Sequence, residues 1–257
     1  MSSIRFTKAI VKTPGHSIIS GITTSNLGKP DYEKVLLQHR RYIDELENCG
    51  LEVMIMSAEE KYPDSTFVED CAVLTEKCAV IGNFGVKSRQ GEEISVHEVL
   101  KDHYANIVKI EEPGILEGGD VLRVNDHFYI RATNRTNISG ANQLIKILEE
   151  FGYTGSIVLV EKTLHLKSGI SYLGEKKMIV AGEPVSNPAF SGFDKIVVDD
   201  DESYAANSIR VNDYVIIPGG FEKTKSAIIE RGYKVKEVDV SEFRKIDGGV
   251  SCLSLRF

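Results

Sequence analysis

The sequence predicts an α/β fold in which five similar units close into a ring around a central channel. Three observations predict it: paired apolar strands recur about every 45 residues, helices and further strands separate the pairs, and strands stand at both ends of the chain. Repeats of this length are typical of radially arranged folds, in which neighbouring units bury one another's apolar faces. Pairing of the first and last strands would close such a ring and protect its edges.

The paired strands share one pattern: a polar or glycine-containing start, a short apolar strand, a turn and a second apolar strand. Turn residues such as Asn125-Asp126 and Asn212-Asp213 separate the two strands of a pair. The five segments are residues 67–82, 115–130, 164–182, 203–220 and 246–257. Their polar starting residues lie 42 to 48 positions apart and are Glu69, Glu117, His165, Asn207 and Cys252. In a ring these positions are equivalent, so we expect the five side chains to converge on the channel.

Helices are predicted where apolar residues recur at helical spacing, in three cases directly before a glycine. Such segments span residues 31–49, 137–151 and 221–231, and residues 92–103 predict a shorter helix. Further apolar strands are predicted over residues 51–57, 105–111, 155–161, 194–200 and 233–240. The unit is therefore helix, strand and hairpin, repeated about five times, and residues 4–13 supply the strand that the last copy lacks. The alternative is an open α/β sheet with coincidental hairpins.

Composition and charge restrict the class of protein. The 257 residues are 42% apolar and 27% charged, which is ordinary globular usage, and no linker divides them, so we expect one domain over residues 1–257. The net charge of −7 argues against a nucleic-acid partner, since phosphate binding needs a basic face. The sequence has no signal-peptide pattern, no apolar run of membrane-spanning length and no C-x-x-C pair. It therefore predicts a cytoplasmic protein with reduced thiols that does not enter a membrane.

Cys252, His165 and Glu117 can fill the three roles of a nucleophilic site. A thiolate nucleophile needs a partner that transfers protons, and that partner needs an acceptor that orients it. Cys252 follows Gly248-Gly249, where the backbone can approach a ligand closely, and His165 stands alone in an apolar strand start. The other cysteines lie in apolar segments and are predicted to be buried small hydrophobes.

Asp64, Glu69 and Asp70 form a second cluster in the segment PDSTFVED. Carboxylates at a strand start suit a guanidinium, which offers a planar fork of donors. A zinc site is the competing interpretation, but no two candidate ligands share one element at ligand spacing. Arg89 and Arg135 follow strands in the first two units and could bind a carboxylate.

Several long motifs in order resemble the dimethylarginine dimethylaminohydrolase family of the guanidine-modifying (pentein) superfamily, in its compact bacterial form, over essentially the whole chain. The motifs are LGKPDY (27–32), PDSTFVED (63–70), SRQGE (88–92), LEGGDVL (116–122), RTN (135–137), LHLKSG (164–169), ESYAAN (202–207) and RKIDGGVSCLSLRF (244–257). The resemblance implies a five-bladed αβ propeller, in agreement with the repeat. It also implies hydrolysis of a guanidino C–N bond in N-methylated arginines, giving L-citrulline and an alkylamine.

The resemblance also implies a role for each candidate residue. Cys252 would be the nucleophile, His165 the general acid and then the general base, and Glu117 its orienting partner. Substrate-binding residues would be Glu69 and Asp70 for the guanidinium, Arg89 and Arg135 for the α-carboxylate, Asp64 near the α-amino group, and Leu27 in a mobile lid. The chemistry needs no metal and no organic cofactor, and the partner would be a small amino acid.

The sequence departs from the family pattern beside the proposed carboxylate site. The loop before SRQGE lacks the usual arginine and proline, and Gln90 replaces a second arginine. A citrulline ureidase or another arginine- or citrulline-type hydrolase on this fold would use the same cysteine, histidine and glutamate. Longer arginine deiminases share the chemistry but carry a helical insertion. An alternative of another class is a non-catalytic propeller binding module. For the quaternary structure, we expect a homodimer formed through an outer blade edge.

Overall fold

The computed structural model describes residues 4–161 and 164–257. Within these residues the helices are α1 (Tyr32–Asn48), α2 (Glu92–Leu100), α3 (Ile138–Glu150), α4 (Glu222–Glu230) and α5 (Ser241–Arg244). The strands are β1 (Lys8–Lys12), β2 (Glu52–Met56), β3 (Ala72–Leu74), β4 (Ala79–Ile81), β5 (Ile107–Lys109), β6 (Val121–Val124), β7 (His127–Arg131), β8 (Thr154–Val158), β9 (Ile170–Gly174), β10 (Lys177–Val180), β11 (Asp194–Val197), β12 (Ile209–Val211), β13 (Tyr214–Pro218), β14 (Lys234–Val238) and β15 (Leu255–Arg256).

The described strands form five separate three-stranded sheets, one for each predicted unit. In every sheet an inner strand pairs antiparallel with a middle strand, and the middle strand pairs parallel with an outer strand. The strand orders are β15-β1-β2, β3-β4-β5, β6-β7-β8, β9-β10-β11 and β12-β13-β14. The sheet β15-β1-β2 joins the two ends of the chain, with Ala9 opposite Arg256. The predicted ring closure is therefore confirmed.

The tight turns follow the predicted turn chemistry. Asn125 and Asn212 both adopt a positive φ of 54° at the tip of a hairpin. This left-handed conformation is tolerated by asparagine better than by most side chains, so the repeated Val-Asn-Asp segments fold into the same turn in two blades.

Four of the units carry an α-helix where the sequence predicts one. Asp31 and Asn137 cap α1 and α3, since their side chains accept hydrogen bonds from the backbone of Lys34 and Gly140. The expectation of a helix in every unit is wrong for the unit between β10 and β11, which has two short 3₁₀ turns there. Pro184 and Pro188 lie in these turns and cannot be accommodated in a helix interior.

The core is divided among five apolar clusters that lie between neighbouring sheets. In the largest, Val35, Tyr42 and Leu46 of α1 are fully buried against strands of two sheets. Each fully buried large apolar side chain contributes roughly 1.5–3 kcal/mol to folding, so the clusters hold the blades together. Residues of the five inner strands line a central cavity of about 190 Å³.

Candidate active site

The predicted polar residues lie directly before the five inner strands, at one end of the channel. Short 3₁₀ turns occupy these positions: Val68–Cys71, Gly118–Asp120, Leu166–Ser168, Asp200–Ala206 and Ser251–Leu253. Glu117 and His165 each stand immediately before such a turn, and Cys252 lies within one. The repeat thus places residues that are far apart in the sequence at equivalent positions around one axis.

His165 and Glu117 are in direct contact, as the sequence predicts. The Nε2 atom of His165 lies 2.9 Å from Oε2 of Glu117, and both side chains are buried. The ring also packs against Gly119, where an added Cβ would lie 3.0 Å from Nδ1 of the imidazole. Burial alone would lower the pKa of His165, but the charge of Asp70 and the hydrogen bond with Glu117 raise it to about 9. His165 is therefore an imidazolium at neutral pH.

Asp70 is the carboxylate that faces this imidazolium. Its Oδ1 accepts a hydrogen bond of 2.9 Å from the backbone of Gly119, and its Oδ2 accepts one of 2.8 Å from Arg89. Burial alone would raise the pKa of Asp70, but the charges of His165 and Arg89 lower it to about 2. Asp70 remains negative throughout the physiological range.

Cys252 has the opposite electrostatic environment. Its Sγ accepts a long hydrogen bond of 3.4 Å from the backbone of Gly249 and lies 4.0 Å from Oγ of Ser251. Burial, together with the charges of Asp70 and Glu69, raises the pKa of the Cys252 thiol to about 12. At neutral pH the thiol keeps its proton.

Asn207, the fifth polar residue of the repeat, connects the turns that carry Cys252 and His165. Its side chain accepts a hydrogen bond from the backbone of Ser251 at 2.9 Å and donates to the carbonyl of Lys167 at 3.1 Å. An added Cβ at Gly249 would lie 2.5 Å from the Asn207 side chain, so this glycine allows the close approach. Asn207 therefore has a structural contact with both turns.

The two predicted arginines lie in the same cluster and bind its carboxylates. Nη1 of Arg89 lies 3.3 Å from Oε2 of Glu117, and Nη1 of Arg135 lies 3.2 Å from the same atom. Arg89 is almost fully buried and also binds Glu92 at 2.9 Å, whereas the side chain of Arg135 is 18% exposed. Sequence reasoning missed Glu92, a buried partner three residues after Arg89 whose i, i+3 spacing could have indicated it.

The remaining predicted residues occupy different surroundings. Asp64 is buried and accepts a hydrogen bond of 3.0 Å from the backbone of Ile22, a residue that no sequence motif indicated. Burial raises the pKa of Asp64 above its usual value. Leu27 lies in the loop before α1 with 54% of its side chain exposed. It does not join the buried cluster in this structure.

Glu69 is held by two cations that sequence reasoning also left unassigned. Its Oε1 lies 2.8 Å from Nζ of Lys167 and 2.9 Å from Nη2 of Arg256. Within the described residues its Oε2 is buried without a hydrogen-bond partner. The negative charge of Glu69 is thus partly balanced before any ligand arrives, unlike the arrangement that the sequence suggests.

One group in the described part of the chain has ligand atoms close enough to hold a metal ion: Asp70, Glu117 and His165, within 4.8 Å of one another. His165 already binds Glu117, Asp70 and Glu117 both bind the guanidinium of Arg89, and Arg135 also contacts Glu117. A metal ion here would have to displace buried cations, so the donor set fits an ion-pair network better than a metal centre. Among the described helices, none combines the length and the apolar character that crossing a bilayer requires.

Comparison with known proteins agrees with this geometry. The sequence profile of a family described as N,N dimethylarginine dimethylhydrolase, eukaryotic, matches residues 26–255. N(G),N(G)-dimethylarginine dimethylaminohydrolase of Pseudomonas aeruginosa is 48% identical over 98% of this chain and 100% of its own length. The protein of the same name from Streptomyces coelicolor is 32% identical over 97% of this chain and 96% of its own.

Solved structures show the same relationship. A cysteine-to-serine mutant of the Pseudomonas aeruginosa enzyme complexed with citrulline superposes with a TM-score of 0.98, covering 99% of this chain and 100% of that one. The N-terminal domain of ArgZ, an arginine dihydrolase from cyanobacteria, shares the fold with a TM-score of 0.86 at 20% identity over 97% of both chains. The fold and the comparisons define an αβ-propeller hydrolase of the pentein superfamily. Within it, the chain belongs to the dimethylarginine dimethylaminohydrolase family.

Proposed function

We propose that the protein hydrolyses the guanidino C–N bond of N-ω-methylated arginines, giving L-citrulline and an alkylamine through a covalent intermediate on Cys252. One observation carries the proposal: His165, hydrogen-bonded to Glu117 at 2.9 Å, lies at the same end of the channel as Cys252 and the Asp70 carboxylate, whose charge raises the pKa of both His165 and Cys252. A cationic substrate supplies the charge that this arrangement lacks beside the sulfur.

Substrate binding prepares the nucleophile. The guanidinium would bind Asp70, with Glu69 beside it, and bring a positive charge next to Cys252. That charge favours the thiolate, so the thiol releases its proton to water as the substrate binds. The α-carboxylate would draw Arg135 away from Glu117, and the exposed loop around Leu27 would cover the substrate, with Asp64 near the α-amino group.

Attack of the thiolate on the guanidinium carbon forms a C–S bond and a neutral tetrahedral adduct. Because Glu117 binds Nε2 of His165, Nδ1 is the nitrogen that exchanges protons with the substrate. His165 donates its proton to the departing amine, the C–N bond breaks, and a thiouronium cation remains on Cys252. Positioned proton transfer of this kind typically contributes about 10²–10⁴-fold to the rate.

Hydrolysis then completes the reaction. Neutral His165 accepts a proton from water, whose oxygen adds to the thiouronium carbon. The C–S bond breaks, its electron pair returns to sulfur, and the hydroxyl proton of the adduct restores the thiol. L-Citrulline leaves, His165 is again an imidazolium, and the steps use only side chains of this chain, the substrate and water.

A substrate panel tests the proposal. Purified protein is incubated separately with asymmetric dimethylarginine, monomethylarginine, arginine and citrulline, and ureido product, alkylamine and ammonia are measured. Citrulline with dimethylamine supports the proposal, and Cys252→Ser serves as the inactive control. Ammonia released from citrulline would instead identify a ureidase, and binding without turnover of any substrate would identify a non-catalytic module.

The broader expectations stay predictions. They are one domain over residues 1–257, a cytoplasmic location, a homodimer, and independence from metals, cofactors, nucleic acid and membranes. Analytical ultracentrifugation tests the dimer, and activity after treatment with a chelator tests metal independence.

A further inference from the structure

Asp120 and Arg131 form a buried ion pair beside the loop that carries His165. Oδ1 of Asp120 lies 3.7 Å from Nη1 of Arg131, and the side chains are 0% and 5% exposed. Removing two charges from water is costly, and such pairs add little stability compared with apolar packing. Stability alone therefore does not account for this pair.

The guanidinium of Arg131 holds the segment that leads into His165. It donates to the carbonyls of Leu164 at 2.8 Å and Glu161 at 3.1 Å, and also to the carbonyl of Val160. Arg131 stands at the end of β7 and lies outside every motif that indicated the function. Its donors are directed at the backbone of the His165 loop.

Asp120 holds the other side of the same residue. Its Oδ1 accepts a hydrogen bond of 3.2 Å from the backbone of Leu166. The pair therefore fixes the carbonyl of Leu164 and the N–H of Leu166, the backbone groups of the two residues that flank His165. Asp120 also lies only three residues after Glu117, on the turn against which the imidazole packs.

The pair also contacts the loop that carries Arg135. Thr133 donates from its hydroxyl to Oδ2 of Asp120 at 3.1 Å, and that hydroxyl accepts from the backbone of Arg135 at 2.9 Å. The buried Asp120 carboxylate thus connects two loops. One carries His165, the proposed general acid, and the other carries Arg135, which we propose to bind the substrate.

We propose that Asp120 and Arg131 are positioning residues that fix the backbone of His165, so that its imidazole meets Glu117 on one side and the reacting bond on the other. The proposal rests on the proposed function for its kinetic consequence. A displacement of about 1 Å at a reacting group can cost about 10²-fold in rate, so loss of the pair should lower kcat far more than it changes KM.

The first test needs no turnover. The pKa of the His165 imidazole is measured by NMR in wild type and Arg131→Met, with His165→Gln for assignment. Removing the Arg131 cation by itself would raise the pKa of His165, and so would the unpaired Asp120. Two changes lower it: displacement of the ring from Asp70 and Glu117, and protonation of the unpaired Asp120, whose pKa burial already raises and whose charge acts on His165. The pKa of His165 in Asp120→Asn, which removes that charge and keeps a carbonyl acceptor for Leu166, measures the second change. A fall in Arg131→Met about one pKa unit larger than the fall in Asp120→Asn supports the proposal, and an equal or smaller fall, or a raised pKa, overturns it.

Kinetics provide the second test. Arg131→Met should lower kcat about 10²-fold with KM changed less than about threefold, and Arg131→Lys, which keeps the charge but not the fork, should recover part of kcat. A wild-type kcat in both variants overturns the proposal. A loss of kcat that is fully explained by the fraction of unfolded protein also overturns it. If Arg131→Met does not fold, the same two measurements on Arg131→Lys decide.

Arg210→Met is the matched control. Arg210 also donates to backbone carbonyls, those of Leu173 and Asn212, but it stands on β12 in another blade. Its replacement should leave kcat and the pKa of His165 unchanged. If wild-type protein forms no product from any substrate, the proposed function fails, while the NMR titration still decides whether the pair positions His165.

Discussion

The Nε2 atom of His165 lies 2.9 Å from Oε2 of Glu117, although the two residues are 48 positions apart in the sequence. Both stand immediately before the 3₁₀ turn that leads into the inner strand of adjacent blades, so the repeat itself creates the contact. The contact helps to keep the imidazole protonated at neutral pH. The fold thus places Glu117 where it helps to keep His165 protonated, and a protonated His165 can donate a proton to the departing amine.

Glu117→Gln should shift the pH dependence of kcat. The hydrogen bond to Glu117 contributes to raising the pKa of His165 to about 9, above its ordinary 6.5. His165 is thus fully protonated below pH 6.5 and loses its proton as the pH rises through 9. In the variant this loss should occur at lower pH, and the basic limb of the kcat profile should move down by about one unit or more.

Glu76→Gln is the control for this measurement, because Glu76 binds Arg123 at 2.6 Å away from the cluster. Its kcat profile should coincide with that of the wild type. A Glu117→Gln profile with an unmoved basic limb would show that Glu117 does not set the protonation of His165.

Gly119→Ala should impair turnover through a single methyl group. The added Cβ would lie 2.7 Å from Oδ1 of Asp70 and 3.0 Å from the His165 ring, so one or both must move. Overpacking of this kind typically costs about 1–3 kcal/mol of stability, which leaves a folded protein. We expect kcat to fall at least about tenfold, measured on protein whose folded fraction is known from circular dichroism.

Gly192→Ala is the matched control, since an added Cβ there meets nothing within 4 Å and the backbone has no positive φ. It should keep wild-type activity. Equal activity of the two alanine variants would contradict the packing argument.

The sequence repeat was sufficient to predict the ring and to group residues at equivalent positions of the candidate site. Cys252, His165 and Glu117 could be grouped because periodic positions in the chain become equivalent positions in space. The helix missing before β11 could not be predicted from the period, since local prolines override it.

The ion-pair partners of Glu69 could not be predicted, because Lys167 and Arg256 belong to other blades. Arg256 reaches Glu69 across 187 positions, and no pattern in either segment indicates the contact. The hydrogen bond from Ile22 to Asp64 was hidden for another reason, since it uses only the backbone of Ile22. Backbone donors carry no residue-type signal.

Asp70→Asn should weaken binding of a guanidinium more than binding of a ureido group. Dissociation constants for arginine and citrulline are measured in the Cys252→Ser background, where neither ligand reacts. A charge-assisted hydrogen bond is roughly twice as strong as a neutral one, so the extra loss for arginine should exceed about 1 kcal/mol, or about fivefold in affinity.

Asp64→Asn provides the comparison. Asp64 is proposed to face the α-amino group, which arginine and citrulline share, so both ligands should weaken equally. If Asp70→Asn instead weakens the binding of arginine and citrulline equally, Asp70 does not bind the charge of the guanidinium.

The thiol of Cys252 should ionise only when a cation binds. Burial and the nearby charges of Asp70 and Glu69 raise its pKa to about 12, so the thiolate is scarce in the free enzyme at neutral pH. Ultraviolet thiolate absorbance is titrated against pH in wild type, with Cys252→Ser as the blank that removes the signals of tyrosines and of the buried Cys49, Cys71 and Cys78. A saturating, unreactive guanidinium ligand should lower the midpoint, because its charge favours the thiolate, whereas an uncharged ureido ligand should not. A midpoint that guanidinium leaves unchanged would exclude substrate-assisted ionisation, and a free-enzyme midpoint below neutrality would indicate a preformed thiolate–imidazolium pair.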